Sequence, residues 1–187
     1  NFGAKQEAQF YRQFRQYMTR ENHIERLERL LWEGKYYPVR RMYRRINSKY
    51  RALAEARLSL RRMRGGVDRA IERVSPKLKN NVGLIYERLR WRRKKGKNKF
   101  AQELLQSTPE DLVHPSLWWR ERNILARRAL NDGDISEAYL LVKNHGLGKA
   151  YRSGYIEAEW LAGWIALQFL GEKNLAFQHF EAGYRAS

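Results

Sequence analysis

The 187-residue sequence contains no cysteine. Disulfides, thiolate metal sites and cysteine nucleophiles are thereby excluded together. Proline occurs only four times, β-branched residues are few, and no alternating apolar run is closed by a two-residue turn, so strand signals are poor. No apolar stretch approaches the roughly 18 residues of a membrane span. The longest, Leu161 to Leu170, is broken by Gly163 and Gln168. No signal peptide is recognisable, and the abrupt "NFGAKQ" start reads as a cut end.

Acidic residues are also scarce, and unevenly so. Lys and Arg number 38 against 20 Asp and Glu, a net charge of +18. Residues 1–100 hold 29 basic and 9 acidic residues, whereas residues 101–187 hold 9 and 11. The first half is expected to attract polyanions, and the second is electrostatically ordinary. The densest run, "RLRWRRKKGKNK", supplies Arg88, Arg90, Arg92, Arg93, Lys94, Lys95, Lys97 and Lys99 as candidate polyanion or glycan contacts. The plain alternative is a solvated helix end and turn.

Helical periodicity fills the chain. Leu27, Leu30 and Leu31 fall at i, i+3, i+4; Leu53, Ala56, Leu60 and Met63 make a second stripe, and Leu84, Ile85 and Leu89 a third. A longer recurrence lies over these stripes. Gly34, Gly65, Gly96, Gly133 and Gly171 each follow an apolar helix end. Five positions beyond each stands a small or β-branched residue: Val39, Ala70, Ala101, Ala138 and Ala176. A glycine takes the left-handed helix cap without a Cβ penalty, and a small residue lets the returning helix approach closely. The prediction is an all-α fold, a superhelical α-solenoid of about five antiparallel hairpins with tetratricopeptide-like packing, forming one domain over residues 1–187. Asp134 and Glu137 are expected to form a capping box on one returning helix. Pro76, Pro109 and Pro115 suit first helical turns.

Two tryptophan pairs raise the question of a stacking platform. Trp118 and Trp119 are adjacent, so on a helix they point about 100° apart and cannot make one flat surface. Trp118 shares a face with Arg122 and Leu125, and Trp119 with Asn123. Hairpin packing is therefore expected, with one ring set into the preceding hairpin and the other along a helix edge; burial is expected for Trp118, and equally for Trp160 and Trp164 beside the small residues Ala162, Gly163 and Ala166. His23, His114, His145 and His179 show no metal-ligand spacing, and no metal or cofactor is expected. Glu157 and Glu159 face different ways on a helix, with Glu159 expected against arginines of a neighbouring hairpin. No GxSxG or phosphate-cradling GxxxxGK[ST] motif occurs.

The stretches "WWRERNILARRALNDGDISEAYLLVKNHG" and "YIEAEWLAGWIALQFLGEKNLAFQHF" resemble the α-superhelical region of bacterial soluble lytic murein transglycosylases. "LLWEGKYYPVRRM" and "GLIYERLRWRRKKG" resemble earlier hairpins of that region, so the likeness covers nearly all of residues 24–184. It implies a periplasmic enzyme of the bacterial cell envelope that cleaves the MurNAc–GlcNAc bond of peptidoglycan and leaves an anhydro end. In that family a separate lysozyme-like domain carries the catalytic glutamate in a Glu-Ser motif, followed by a Gly-Leu-Met-Gln segment. Neither occurs here, since "HGLGKA" does not match, so no catalytic residue is carried over. The resemblance thus implies a non-catalytic scaffold that contacts glycan strands and anionic envelope polymers. The competing expectations are a helical-repeat adaptor with a protein partner in its groove and a basic nucleic-acid-binding protein.

Overall fold

The computed structural model describes residues 3–106 and 112–187. Among them are eleven α-helices, three short 3-10 turns and no strand; the fold is all-α, as predicted. The helices are α1 (Ala4–Phe14), α2 (Arg20–Trp32), α3 (Tyr36–Met42), α4 (Ser48–Arg61), α5 (Val67–Glu72), α6 (Val82–Lys94), α7 (Asn98–Gln106), α8 (Pro115–Asn131), α9 (Ile135–Lys143), α10 (Arg152–Gln168) and α11 (Lys173–Arg185). They group into two compact units, Asn1–Trp91 and Arg92–Ser187.

Sequential helices pair as hairpins: α2 with α3 and α4 with α5 in the first unit, α8 with α9 and α10 with α11 in the second. The turns explain why. After α2, Gly34 sits at φ 70°, and Lys35 returns its N–H to the Leu30 carbonyl at 2.9 Å. Gly96 and Gly133 repeat this closure, through Lys97 to Arg92 at 2.9 Å and Asp134 to Ala129 at 2.8 Å. These are glycine-capped helix ends in which a backward bond satisfies a terminal carbonyl. Gly171, at φ 69°, turns the chain between α10 and α11.

Gly65 is the exception. After α4 the left-handed position belongs to Met63 at φ 57°, and Arg64 closes the cap onto Ser59 at 3.1 Å. Five residues separate these two helices, against three at Gly34, Gly96 and Gly133 and four at Gly171. It is Gly66, at φ 70°, that uses glycine's freedom, at the entry to α5. The small residues keep their register regardless. Val39, Ala70, Ala101, Ala138 and Ala176 are each the fourth residue of a returning helix, and all are buried.

Two other expectations about helix starts are corrected or narrowed. Asp134 precedes α9 with no side-chain cap bond, because its ψ of 64° is not the extended conformation that swings a capping side chain over the first turn. Pro76 opens a 3-10 turn rather than an α-helix. Pro115 opens α8 as expected, and Pro109 lies outside the described residues.

In the first unit α4 is buried along two sides. Ala54 and Leu58 pack with Leu27, Leu30, Leu31, Val39 and Met42. Leu53, Ala56 and Leu60 pack with Val67, Ala70, Val74 and Leu84. A helix layered between hairpins needs apolar residues on both faces, which blurs its amphipathic stripe. In the second unit, α10 turns Ala158, Leu161, Ala162, Ile165 and Ala166 inward. Gly163 lies beneath Phe180, whose Cε1 would stand 2.7 Å from an added Cβ.

Candidate functional site

Trp118 and Trp119 belong to the packing between hairpins. Trp118 is fully buried, and its Nε1–H donates to the Val113 carbonyl at 3.1 Å. Trp119, also buried, donates from Nε1 to Glu157 Oε2 at 2.9 Å. Asn123, one turn along the same face, donates from Nδ2 to Glu157 Oε1 at 2.8 Å. Together they grip one carboxylate of α10. Neither ring offers a face to a ligand.

The open tryptophan is Trp160, which the sequence reading expected to be buried. It is 54% exposed and stacks on the half-buried Trp164, with ring centroids 6.2 Å apart and planes only 5° from parallel. Phe169, itself exposed, sets its edge against Trp164 at 5.1 Å. The reason is helical phase. Residues 158, 161, 162, 165 and 166 form the inward stripe of α10, and 160 and 164 lie on another. Small neighbours marked the stripe beside the tryptophans, not the tryptophans themselves.

Glu159 is buried as expected, but against histidines rather than arginines. His179 Nδ1 lies 2.6 Å from its Oε2 and His145 Nε2 lies 3.4 Å from its Oε1. Tyr139 extends the chain to His179 Nε2 at 2.9 Å. The Leu147 N–H donates to His145 Nδ1 at 3.0 Å, so that nitrogen keeps its lone pair and the imidazole is neutral. Burial, the largest influence, pushes the His145 pKa below its ordinary value, while Glu159 opposes that shift. Both carboxylate oxygens are occupied, and the cluster ties α9, α10, α11 and the connector between α9 and α10. No linear spacing announces it, because the histidines come from separate elements. No group of three or more potential metal ligands occurs among the described residues.

The basic run divides by role. Lys94, Lys95, Lys97 and Lys99 are exposed. Arg93 is not: it is buried against Glu121, with Nη2 3.0 Å from Oε1 and a second bond from Nε to Oε2. It is thereby withdrawn from the candidate contacts. Arg92 folds back onto the Phe100 carbonyl at 2.7 Å, Arg90 lies 3.6 Å from Glu87, and Arg88 is half-buried. Elsewhere in the second unit Arg122 is buried and donates to the Leu105 carbonyl at 3.1 Å. Burial lowers its pKa to about 10.

Part of the positive charge of the first unit is likewise spent internally. Glu7, only 2% exposed, lies among Arg26, Arg41 and Arg45. Arg57 pairs with Glu28. Arg61 pairs with Glu87 and donates to the carbonyls of Leu31 and Trp32 at the end of α2. The sequence reading missed this use of arginine. The available signal was the small set of glutamates inside otherwise apolar helix faces, each of which needs a cation when buried.

No family model, no curated protein and no solved structure matches the chain.

Proposed function

We propose that this chain is a non-catalytic superhelical scaffold segment of a peptidoglycan lytic transglycosylase of the bacterial periplasm, and that the surface of Trp160, Trp164 and Phe169 meets the glycan strand. The observation that carries the reading is the stacked, open Trp160–Trp164 pair. It falls within "EAEWLAGWIAL", one of the stretches on which the family resemblance rests. A pyranose presents weakly positive axial C–H bonds, and an indole face is the negative side of its quadrupole. An uncharged glycan can therefore be held by ring faces where a charged patch would gain little. Exposed apolar groupings of this kind mark interaction surfaces.

In this role the chain binds and orients the strand. Bond cleavage falls to the lysozyme-like domain of the parent enzyme, since glycoside cleavage needs a carboxylic acid placed at the scissile oxygen. The exposed lysines of residues 94–99 add long-range attraction for anionic envelope polymers and peptide stems. The same aromatic surface also suits a protein partner, as in a helical-repeat adaptor.

The deciding experiment is co-sedimentation with purified sacculi in about 1 M salt, where the screening length is about 3 Å and charge attraction is suppressed. The chain is expected to remain bound, and Trp160→Ala to be released. Equal retention of both, or no retention of either, overturns the glycan reading. Tight, sequence-dependent DNA binding under those conditions instead supports a nucleic-acid protein.

A further inference from the structure

We propose that the cleft between α3, α4 and α5 binds a phosphate ester group carried on a small anionic molecule. The cleft, open to solvent, offers about 190 Å³, and Arg40, Arg62, Arg64 and Arg73 are among the residues that line it. That is the liquid volume of about six waters, suited to one compact polar group.

The case rests on which arginines keep no acid. Arg26, Arg41, Arg45, Arg51, Arg57, Arg61 and Arg90 of the same unit each lie within ion-pair distance of a glutamate. The four cleft arginines have no such carboxylate among the described residues. Only one acid, Glu55, reaches the cleft lining, and Arg51 already donates to it at 3.1 Å. Four like charges converging on one concavity, with their nearest acid committed elsewhere, favour an external anion.

The rings set the geometry. Arg62 lies over Tyr36 at 4.3 Å and Arg40 over Tyr43 at 5.3 Å. Stacking engages the face of a guanidinium and leaves its in-plane N–H groups for an acceptor. The Tyr43 hydroxyl, whose pKa burial above all raises to about 12, is protonated at neutral pH as any phenol is and can donate. Ser59 adds a hydroxyl to the lining. A carboxylate offers two oxygens and is satisfied by one guanidinium fork, whereas a phosphate ester offers three and a second negative charge. The number of donors matches the phosphate.

This site is separate from the aromatic surface of α10, and its test does not involve glycan. The 187-residue chain is titrated calorimetrically with inorganic phosphate and with pyrophosphate, in about 0.15 M salt where the screening length is about 8 Å. Saturable one-to-one binding is expected. Arg62→Ala and Arg73→Ala should each weaken it roughly tenfold or more, and Arg62→Lys, which keeps the charge but not the fork, should restore little. Both positions are exposed, so thermal midpoints should stay near that of the parent chain. The paired variant Lys94→Gln with Lys95→Gln should bind phosphate normally. Absence of saturation, equal binding of acetate, full rescue by Arg62→Lys, or binding of random DNA alone with a steep salt dependence would each overturn the proposal.

Discussion

The guanidinium of Arg57 occupies the space that a Cβ on Gly83 would fill. It lies there almost fully buried, 2.5 Å from Glu28 Oε2, and over the ring of Trp32 at 5.2 Å. Asn81 joins the same knot, donating from Nδ2 to Glu28 Oε1 at 3.1 Å while its Oδ1 accepts the Leu84 N–H. One arginine thus fastens α2, α4 and the start of α6, at a place where only glycine leaves it room.

Gly83→Ala should therefore behave as a core mutation although it adds a single methyl. The Arg57 side chain is almost fully buried, so the new Cβ is expected to push its guanidinium off Glu28. Losing one partner of a fully buried ion pair costs about 3–5 kcal/mol, and Glu28, whose side chain is 26% exposed, sets this pair at the low end of that range. Chemical denaturation should register a loss of that order, and Arg57→Ala a similar one. Near-parental stability of Gly83→Ala would mean that Arg57 is not confined.

The turn glycines separate by backbone angle. Gly133, at φ 80°, has no atom within contact of an added Cβ. Gly133→Ala is therefore a test of strain alone, expected to cost about 1–2 kcal/mol. Gly65 is not in the left-handed region and is equally open. Gly65→Ala should be neutral or stabilise by about 0.4–1 kcal/mol, through a less flexible unfolded chain. The two melting curves should move in opposite directions or by clearly different amounts.

That contrast shows where the sequence was legible. Helical class, the hairpin turns and all five small residues of the returning helices follow from local rules, namely period, cap and close approach. Gly65 failed because two glycines stand together and five residues separate the two helices, which spacing alone cannot detect. The site was less legible still. Adjacent bulk correctly excluded a Trp118–Trp119 platform, but the phase of α10 relative to its neighbours decides whether Trp160 faces outward. The partners of Glu159 and of the buried arginines come from other helices. Such pairings are properties of packing, and no spacing along the chain encodes them.

Trp118 and Trp160 should respond oppositely to truncation. Trp118→Ala empties a fully buried site and removes the bond to the Val113 carbonyl, at a cost of about 3–5 kcal/mol. Trp160→Ala removes a largely exposed ring and should alter stability by less than about 1 kcal/mol. Thermal denaturation of the two variants compares them directly. A large loss from Trp160→Ala would assign that ring to the core and remove it as a ligand surface.

His145 gives the second unit an acid sensitivity. Its folded pKa lies below the ordinary value of 6.5, so the unfolded chain binds the proton more readily. Stability is thus fully present above that value and is lost as pH falls through it toward the folded pKa. Protonation at Nδ1 also breaks the bond from Leu147. His23 in the first unit is lowered too, mainly by burial, and acts in the same direction. The thermal midpoint should fall between about pH 7 and pH 5, and His145→Gln should flatten part of that dependence. An unchanged slope in His145→Gln would place the sensitivity elsewhere.

The basic run provides the sharpest separation of charge from structure. Arg93, Lys94 and Lys95 are consecutive and chemically alike in the sequence. Arg93 is buried against Glu121, however, and its own carbonyl accepts a bond from Arg128 at 3.1 Å. Arg93→Ala should lower stability by about 3–5 kcal/mol, because Glu121 is left buried without its cation. Lys94→Gln with Lys95→Gln should leave the midpoint within about 0.5 kcal/mol of its parent. The lysine variant should show its effect in binding instead. At low salt, sacculi and random DNA should both retain the chain through screened attraction, and neutralising the two lysines should weaken both together. At about 1 M salt that contribution disappears, so the lysine variant and the parent should bind sacculi equally while Trp160→Ala does not. If the lysine pair governs retention at high salt as well, the surface acts through close, specific contacts, and the division between attracting charge and gripping rings is wrong.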